Sequence, residues 1–315
     1  QEDPKTYFEL EKQMLLLQFS LRKHFRALAA LRSEEKCVLL FDRGPMDMRA
    51  YMLPGYFEAI TRDMKLSLAE LRDDFDGVIH LVTAAEGAEE FYTLENNKAR
   101  METAEEARAL DERTKNAWIG HPHLKIIDNS TDFSGKLLRA RQALARMLGV
   151  PVPLEIERKF AVDGIDWTAP ELGHARTIFI EQQYLRTPEG EDLRIRKRGD
   201  GADASYYATK KTDLRPGVRH EVERRITALE YLTLSQYRIP RTEVIRKQRT
   251  CFIYRDQYFE LDVFEQPIGL VILEIELTEE NDAVETPPFI GVEEDVTDNP
   301  FFSNARIARE ITRFS

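Results

Sequence analysis

Cysteine is scarce: Cys37 and Cys251 are the only two in 315 residues. They form no CxxC pair, so a disulfide framework and a zinc-finger spacing are both excluded. That usage fits a reducing, cytoplasmic setting. No apolar run approaches the ~18 residues of a spanning helix, so none is expected to cross a membrane. Positive charge is also in deficit. Lys and Arg number 45 against 56 Asp and Glu, for a net charge of −11. That balance argues against a nucleic-acid partner. Internal repeats and low-complexity tracts are absent. So is the phosphate-loop pattern GxxxxGK[ST]: Ser134-Gly135-Lys136 lacks the earlier glycine and does not follow a strand. The chain opens on Gln1 with nothing resembling a signal peptide. The translation start, and a phosphate loop with it, are expected upstream.

The chain does hold enough apolar residues, 42%, for packed cores. Its length suggests two domains at roughly 150 residues each. In the first half, Leu10, Met14, Leu17, Leu21, Phe25 and Leu28 recur at helical spacing across 7–32. Short apolar runs at 37–41, 77–82 and 124–129 read as buried parallel strands. Helical stretches at 56–73, 86–117 and 133–148 separate them, which suggests an α/β layer. The prolines at 151 and 153 mark a boundary, giving domains 1–149 and 150–315. Beyond it the chain is rich in strands and turns, with helices at 227–238 and 300–312.

Charge in the second half follows strand parity, because residues two apart share a face. Glu155, Glu157 and Lys159 fall together, as do Arg194, Arg196 and Arg198. So do Arg219, Glu221, Glu223 and Arg225; Lys247 and Arg249; Glu260 and Asp262; and Glu274 and Glu276. The opposite faces carry Ile156, Phe160, Ile195, Leu261, Leu273 and Ile275. On one strand this is an ordinary solvated face. On six strands, in blocks of each sign, it implies a charged lumen with an apolar exterior. Carboxylates there suit hard cations and arginines suit phosphates.

Glu155-Ile156-Glu157-Arg158-Lys159 is the ExExK signature of the CYTH, or triphosphate tunnel, family. Leu193–Arg196, Ala208–Lys211, Arg219–Glu223, Arg246–Arg249, Asp262–Phe264 and Glu274–Leu277 follow in the family's order, and the resemblance covers about 151–315. It implies an antiparallel eight-stranded β-barrel with flanking helices. It also implies Mg²⁺ or Mn²⁺ on Glu155, Glu157, Glu274 and Glu276, with Glu221, Glu223 and Asp262 as further ligands. Phosphates would lie on Arg194, Arg196, Lys211, Arg219, Lys247 and Arg249, with Lys210 the alternative to Lys211. Lys159 and Glu276 would be catalytic.

In the first half, Asp42-Arg43-Gly44 at a strand end resembles P-loop kinases, as does a lid-like segment with Arg100, Arg108, Arg113 and Lys115. An ordinary turn and a solvated helix are the bland alternatives. Together the halves resemble the TRPL translocation defect protein family. That resemblance implies GTP or ATP on an incomplete P-loop-kinase-like domain. It also implies phosphoinositide or phosphatidate head groups, peripheral membrane contact and a role in membrane-protein trafficking with an unidentified cargo. The function expected is therefore a phosphate-binding regulator holding nucleotide, polyphosphate or lipid phosphate with divalent metal. The alternative is a metal-dependent triphosphatase. His121 and His123 are read as loop packing, and Trp118 as a core or rim aromatic.

Overall fold

The computed structural model describes residues 3–32, 37–92, 102–150, 154–186, 192–215 and 218–314. The side chains of 154–155, 192, 202, 211–215, 218–220 and 311–314 are outside that description.

Helix α1 (Pro4–Ala30) starts where Asp3 accepts the Thr6 amide and Pro4 takes the first turn, a position where a missing N–H costs nothing. Its packed face carries Phe8, Leu15 and Phe19. They meet Phe57, Ile60, Leu71 and Trp118 from α2 (Met48–Tyr51), α3 (Tyr56–Asp63), α4 (Leu68–Asp73) and the segment at 118. The apolar stripe that marks this helix in the sequence lies on the other face. Leu10, Met14, Leu17, Leu21, Phe25 and Leu28 are all 47–59% exposed. A helix this long carries apolar residues on two faces, and three short helices cover one. The expected single helix over 56–73 is broken, since Lys65 is left-handed and Ser67 caps α4.

The expected parallel sheet is reduced to two strands among the described residues, β1 (Val78–Leu81) and β2 (Leu124–Ile127). The 37–41 run joins no ladder, and Leu40 is 74% exposed. Apolar content alone cannot make a strand without a neighbour to accept its backbone hydrogen bonds. Helices α5 (Ala104–Ala117), with a Thr103–Glu106 capping box, and α6 (Phe133–Met147) complete this half.

The second half is antiparallel. Its strands are β3 (Leu154–Ile165), β4 (Arg176–Leu185), β5 (Asp192–Arg198), β6 (Ser205–Arg215), β7 (Val218–Ile226), β8 (Ile245–Tyr254), β9 (Gln257–Phe264), β10 (Val271–Glu276) and β11 (Ile290–Asp295). Their order is β10-β9-β8-β4-β5-β6-β7-β3-β11, with a further β10–β3 ladder. The expected eight-stranded barrel is thus met in part. The sheet curls until β10 reaches β3 over five residue pairs, but β7 and β3 share only Leu154–Ile156, and β11 is a ninth strand.

The apolar parity faces outward into its own cores. One holds Ile156, Phe160, Phe259, Leu261 and Leu273. Another lies under α7 (Ala228–Ser235) around Tyr231. The terminal helix α8 (Asn304–Phe314) packs Ile307 and Ala308 on Tyr184, Ile245, Phe264 and Ile272 at one end of the sheet. The expected helix over 300–312 is divided by Ser303, with a short turn at Pro300–Phe302.

The first domain sits at the opposite end. Ile119 is buried against Ile178, Ile180 and Cys251. Such burial contributes about 1.5–3 kcal/mol. Lys115 Nζ meets Asp256 Oδ1 at 2.6 Å, and Arg198 donates to the Gly120 carbonyl at 2.9 Å. Among the described residues, no helix is long and apolar enough to cross a membrane.

Candidate active site

The curled sheet encloses a cavity of about 140 Å³ lined by side chains of the charged parity. Register divides its wall by sign. β4 offers the neutral Ile180, Gln182 and Tyr184, flanked by Arg194, Arg196 and Arg198 on β5 and by Lys247 and Arg249 on β8. The neighbouring strands β9, β10 and β3 are acidic, with Glu260, Asp262, Glu274, Glu276 and Glu157.

Pairing is dense. Lys159 Nζ donates to Glu157 at 2.9 Å and to Glu274 at 2.5 Å. Arg249 donates twice to Asp262, at 2.7 and 2.5 Å, and to Glu274 at 2.6 Å. It also pairs with Glu260, and Lys247 pairs with Asp262. Arg194 reaches Glu221 at 3.3 Å, and Arg196 reaches Glu223 at 2.8 Å. Thr209 adds a hydrogen bond to Glu223 at 2.7 Å.

These contacts set the protonation states. Burial pushes the Glu274 carboxyl up, but Lys159, Lys247 and Arg249 outweigh it and hold the group well below its ordinary range. Glu223 is likewise held low, by Arg196, His123 and Arg194 against burial. Burial draws Lys159 down and its two glutamates more than restore it, so it remains an ammonium. Lys247 lies below its usual value, because burial outweighs Asp262. A charge held in such a site acts through a lower dielectric than water.

Two observations point to an anionic ligand. The Nε atoms of Arg196 and Arg198 are buried without a hydrogen-bond partner among the described residues. A buried unsatisfied donor costs ~1–3 kcal/mol, which an acceptor supplied by a ligand would remove. The N-terminal end of α8 also reaches the lumen: Ser303, Asn304 and Ala305 line it, and Asn304 lies 3.3 Å from Lys247 Nζ. A helix N-terminus favours negative charge.

Glu157 and Glu276 stand directly opposite each other on β3 and β10. Like charges in that relation repel unless a cation lies between them. Their hard oxygens therefore suit a divalent cation. Here Lys159 serves Glu157, while Lys125 of β2 reaches Glu276 at 3.3 Å. No group of three or more His, Cys, Asp or Glu side chains converges as a metal site among the described residues.

Of the sequence candidates, the structure brings together Glu157, Lys159, Arg194, Arg196, Glu221, Lys247, Arg249, Glu274 and Glu276 around one cavity. Asp262 lies behind Lys247 and Arg249, and Glu223 lies behind Arg196. The side chains of Glu155, Lys211 and Arg219 lie outside the described residues. Lys211 holds the same strand parity as Thr209, and Lys210 is exposed on the other face.

Asp42 and Arg43 are remote from the lumen. They border a separate cavity of about 400 Å³ beside β1, with His80 and Asp111. Arg43 lies 3.6 Å from Asp47. The lid-like cations serve packing instead. Arg108 and Arg113 donate to the carbonyls of Ala85 and Ala50, and Lys115 ties the domains together. Arg100 lies outside the described residues. Trp118 is buried in the first core, as read.

His121 fits its packing role. It is fully buried, accepts the His123 amide and contacts the Phe75 carbonyl. His123 does not fit that role: it lines the lumen, 3.6 Å from Glu223. It was missed because nothing in the local sequence shows which surface a loop of one domain meets on another.

Comparison with known proteins places both halves of the chain. An AAA domain model matches residues 4–136 and the CYTH domain model matches 153–305. An inorganic triphosphatase of Acetivibrio thermocellus is 31% identical over 157 residues, 49% of this chain and 93% of the relative. The chain belongs to the CYTH family. A solved inorganic triphosphatase structure is 30% identical to it, covering 49% of this chain and 94% of that one, with a TM-score of 0.35. The AAA domain precedes the CYTH domain, so the order read from the sequence holds.

Proposed function

We propose that the CYTH domain binds a linear triphosphate in its lumen and hydrolyses it with Mg²⁺ or Mn²⁺. The supporting observation is the sign-divided wall, with arginines and lysines of β5 and β8 on one side and the Glu157–Glu276 pair on the other. Arg194, Arg196, Lys247 and Arg249 would hold phosphate oxygens, with Lys211 and Arg219 adding to them. Glu157 and Glu276 would hold the cation, with Glu155, Glu274, Glu221, Glu223 and Asp262 in support. The cation supplies charge neutralisation at the phosphoryl oxygens.

In the reaction, a water oxygen bonds to the terminal phosphorus and the bridging P–O bond breaks. Orthophosphate and pyrophosphate leave. Glu276, at the exposed rim, takes the proton from water. Lys159 stays charged and stabilises the growing negative charge. This order reverses the two functions expected from sequence, because the chemistry rests on residues seen together. The second reading keeps the lumen as a recognition site for lipid phosphate, with GTP or ATP on Asp42 and Arg43 and an output to trafficking. It is supported by the two-domain order alone.

The test is phosphate release from tripolyphosphate, ATP and GTP with either metal, beside a Glu157→Gln/Glu276→Gln control. Metal-dependent release that the control abolishes is expected. Retained binding without release would overturn hydrolysis and favour the second reading.

A further inference from the structure

Behind the lumen, between the two domains, lies a second cavity of about 660 Å³. Pro122, His123, Glu221 and Glu276 line both cavities, so the two adjoin at these residues. Two of the four belong to the AAA domain.

The loop that carries them is held from both sides. Gly120 is left-handed, at φ +95°, and a Cβ there would lie 2.6 Å from Arg72 Nη1. Its amide donates to Tyr258 Oη at 3.0 Å, and its carbonyl accepts from Arg198 at 2.9 Å. The His121 carbonyl accepts from Tyr258 Oη at 3.2 Å. His121 Nδ1 then fixes the His123 amide at 3.0 Å. The backbone that carries the His123 imidazole is therefore anchored to the sheet and to His121.

The two ends of the lumen are bounded by different elements. Ser303–Ala305 at the start of α8 lie at the end marked by Tyr184 and Ile245. The AAA-domain loop lies at the end marked by Ile178 and Ile180.

We infer that Pro122 and His123 are a stop, supplied by the AAA domain, that sets the length of phosphate chain the lumen accepts. A triphosphate ends against them, and a longer linear chain is refused because its extra phosphates would have to pass into the interdomain cavity. The inference rests on the triphosphate reading above for its ligand. His123 is a positioning residue here and takes no covalent part.

The test uses the full chain and two probes, tripolyphosphate and a long linear polyphosphate, read by calorimetric binding and by phosphate release with metal. The variants are His123→Gly and Pro122→Gly/His123→Gly, with melting temperature as the check on folding. The expected result is a preference for tripolyphosphate over the long chain of about tenfold or more in the parent. That ratio should fall about tenfold in the variants, a change worth ~1.4 kcal/mol. Folded variants with an unchanged ratio would overturn the stop. So would a parent that binds both probes equally well while still hydrolysing tripolyphosphate, a result that leaves the proposed function standing. Length-selective binding without any release would fail the hydrolytic function and support the stop. Binding of neither probe would overturn both.

Discussion

Replacing Arg249 by Met tests the energetics of the lumen most directly. Arg249 is 5% exposed, and its guanidinium meets Asp262, Glu260 and Glu274. Breaking a buried ion pair by deleting one partner typically costs ~3–5 kcal/mol, because the remaining charge is uncompensated. Two of the three carboxylates keep another cation: Lys247 stays on Asp262, and Lys159 stays on Glu274. The cost should therefore lie at the lower end, about 3 kcal/mol. At ~2–4 °C per kcal/mol for a chain of this order of size, the unfolding transition of the CYTH domain should drop by about 6–12 °C.

The loss should also depend on pH. Glu274 is held well below its ordinary value by three cations that overcome burial. Its contribution to stability is complete above the unfolded value of ~4.3 and disappears as pH falls toward the depressed folded value. Without Arg249 the folded value rises, so the gap between parent and variant narrows in acid. Differential scanning calorimetry at pH 7 and near pH 3 measures both effects. An unchanged melting temperature at pH 7, or a gap that persists undiminished in acid, would refute the reasoning.

Other consequences are as direct. His121 is pushed down to about 3 by burial against the pull of Asp73. Its neutral form belongs to the fold, so stability should be full above pH ~6.5 and fall by ~1.4 kcal/mol per unit below it; His121→Gln should lose that slope in urea titrations from pH 7 to 5. Arg196→Ala removes a guanidinium with an unpartnered buried Nε. Tripolyphosphate affinity should fall by about 10- to 100-fold, the equivalent of a charge-assisted hydrogen bond of ~1.5–3 kcal/mol, and calorimetry that finds equal affinity would count against the assignment. Lys115 is buried and tied to Asp256 across the domain boundary; Lys115→Met should leave Asp256 unpaired and speed proteolytic cutting between the domains, and an unchanged cleavage rate would contradict a tie at that point.

Much of the lumen was legible in the sequence, because strand parity is a local property. Once Glu157 and Lys159 point inward, Ile156 and Phe160 must point out. The same logic placed Arg194 with Arg196 and Lys247 with Arg249. What parity cannot give is which strands become neighbours. That Arg249 would serve three carboxylates on β9 and β10 follows from register, and no motif records it. The first half was less legible. Both apolar stripes of α1 have helical spacing, and only the packing of Phe57 and Trp118 decides which is buried. The 37–41 run has the composition of a strand but lacks a neighbour among the described residues. His123 was invisible for a related reason: its importance comes from the surface that its loop meets, not from its own surroundings in the chain.

The same pairing makes metal and phosphate interdependent. Lys159, Arg194, Arg196, Lys247 and Arg249 each hold a carboxylate. A phosphate chain that recruits these donors leaves Glu157, Glu221, Glu223, Asp262 and Glu274 less compensated, at several kcal/mol for each fully buried charge. A divalent cation on the Glu157–Glu276 pair offsets that loss. Bare tripolyphosphate should therefore bind weakly, and Mg²⁺ or Mn²⁺ should bind weakly alone. Each should strengthen the other by one common factor, because coupling between two sites is reciprocal. For a coupling of ~1–3 kcal/mol that factor is about 5- to 150-fold. Calorimetric titration of each ligand, with and without the other at saturation, measures the factor twice. Tight binding of tripolyphosphate without metal, at an affinity that metal does not change, would show that the carboxylates need no replacement partner and that the charge-exchange account of this lumen is wrong.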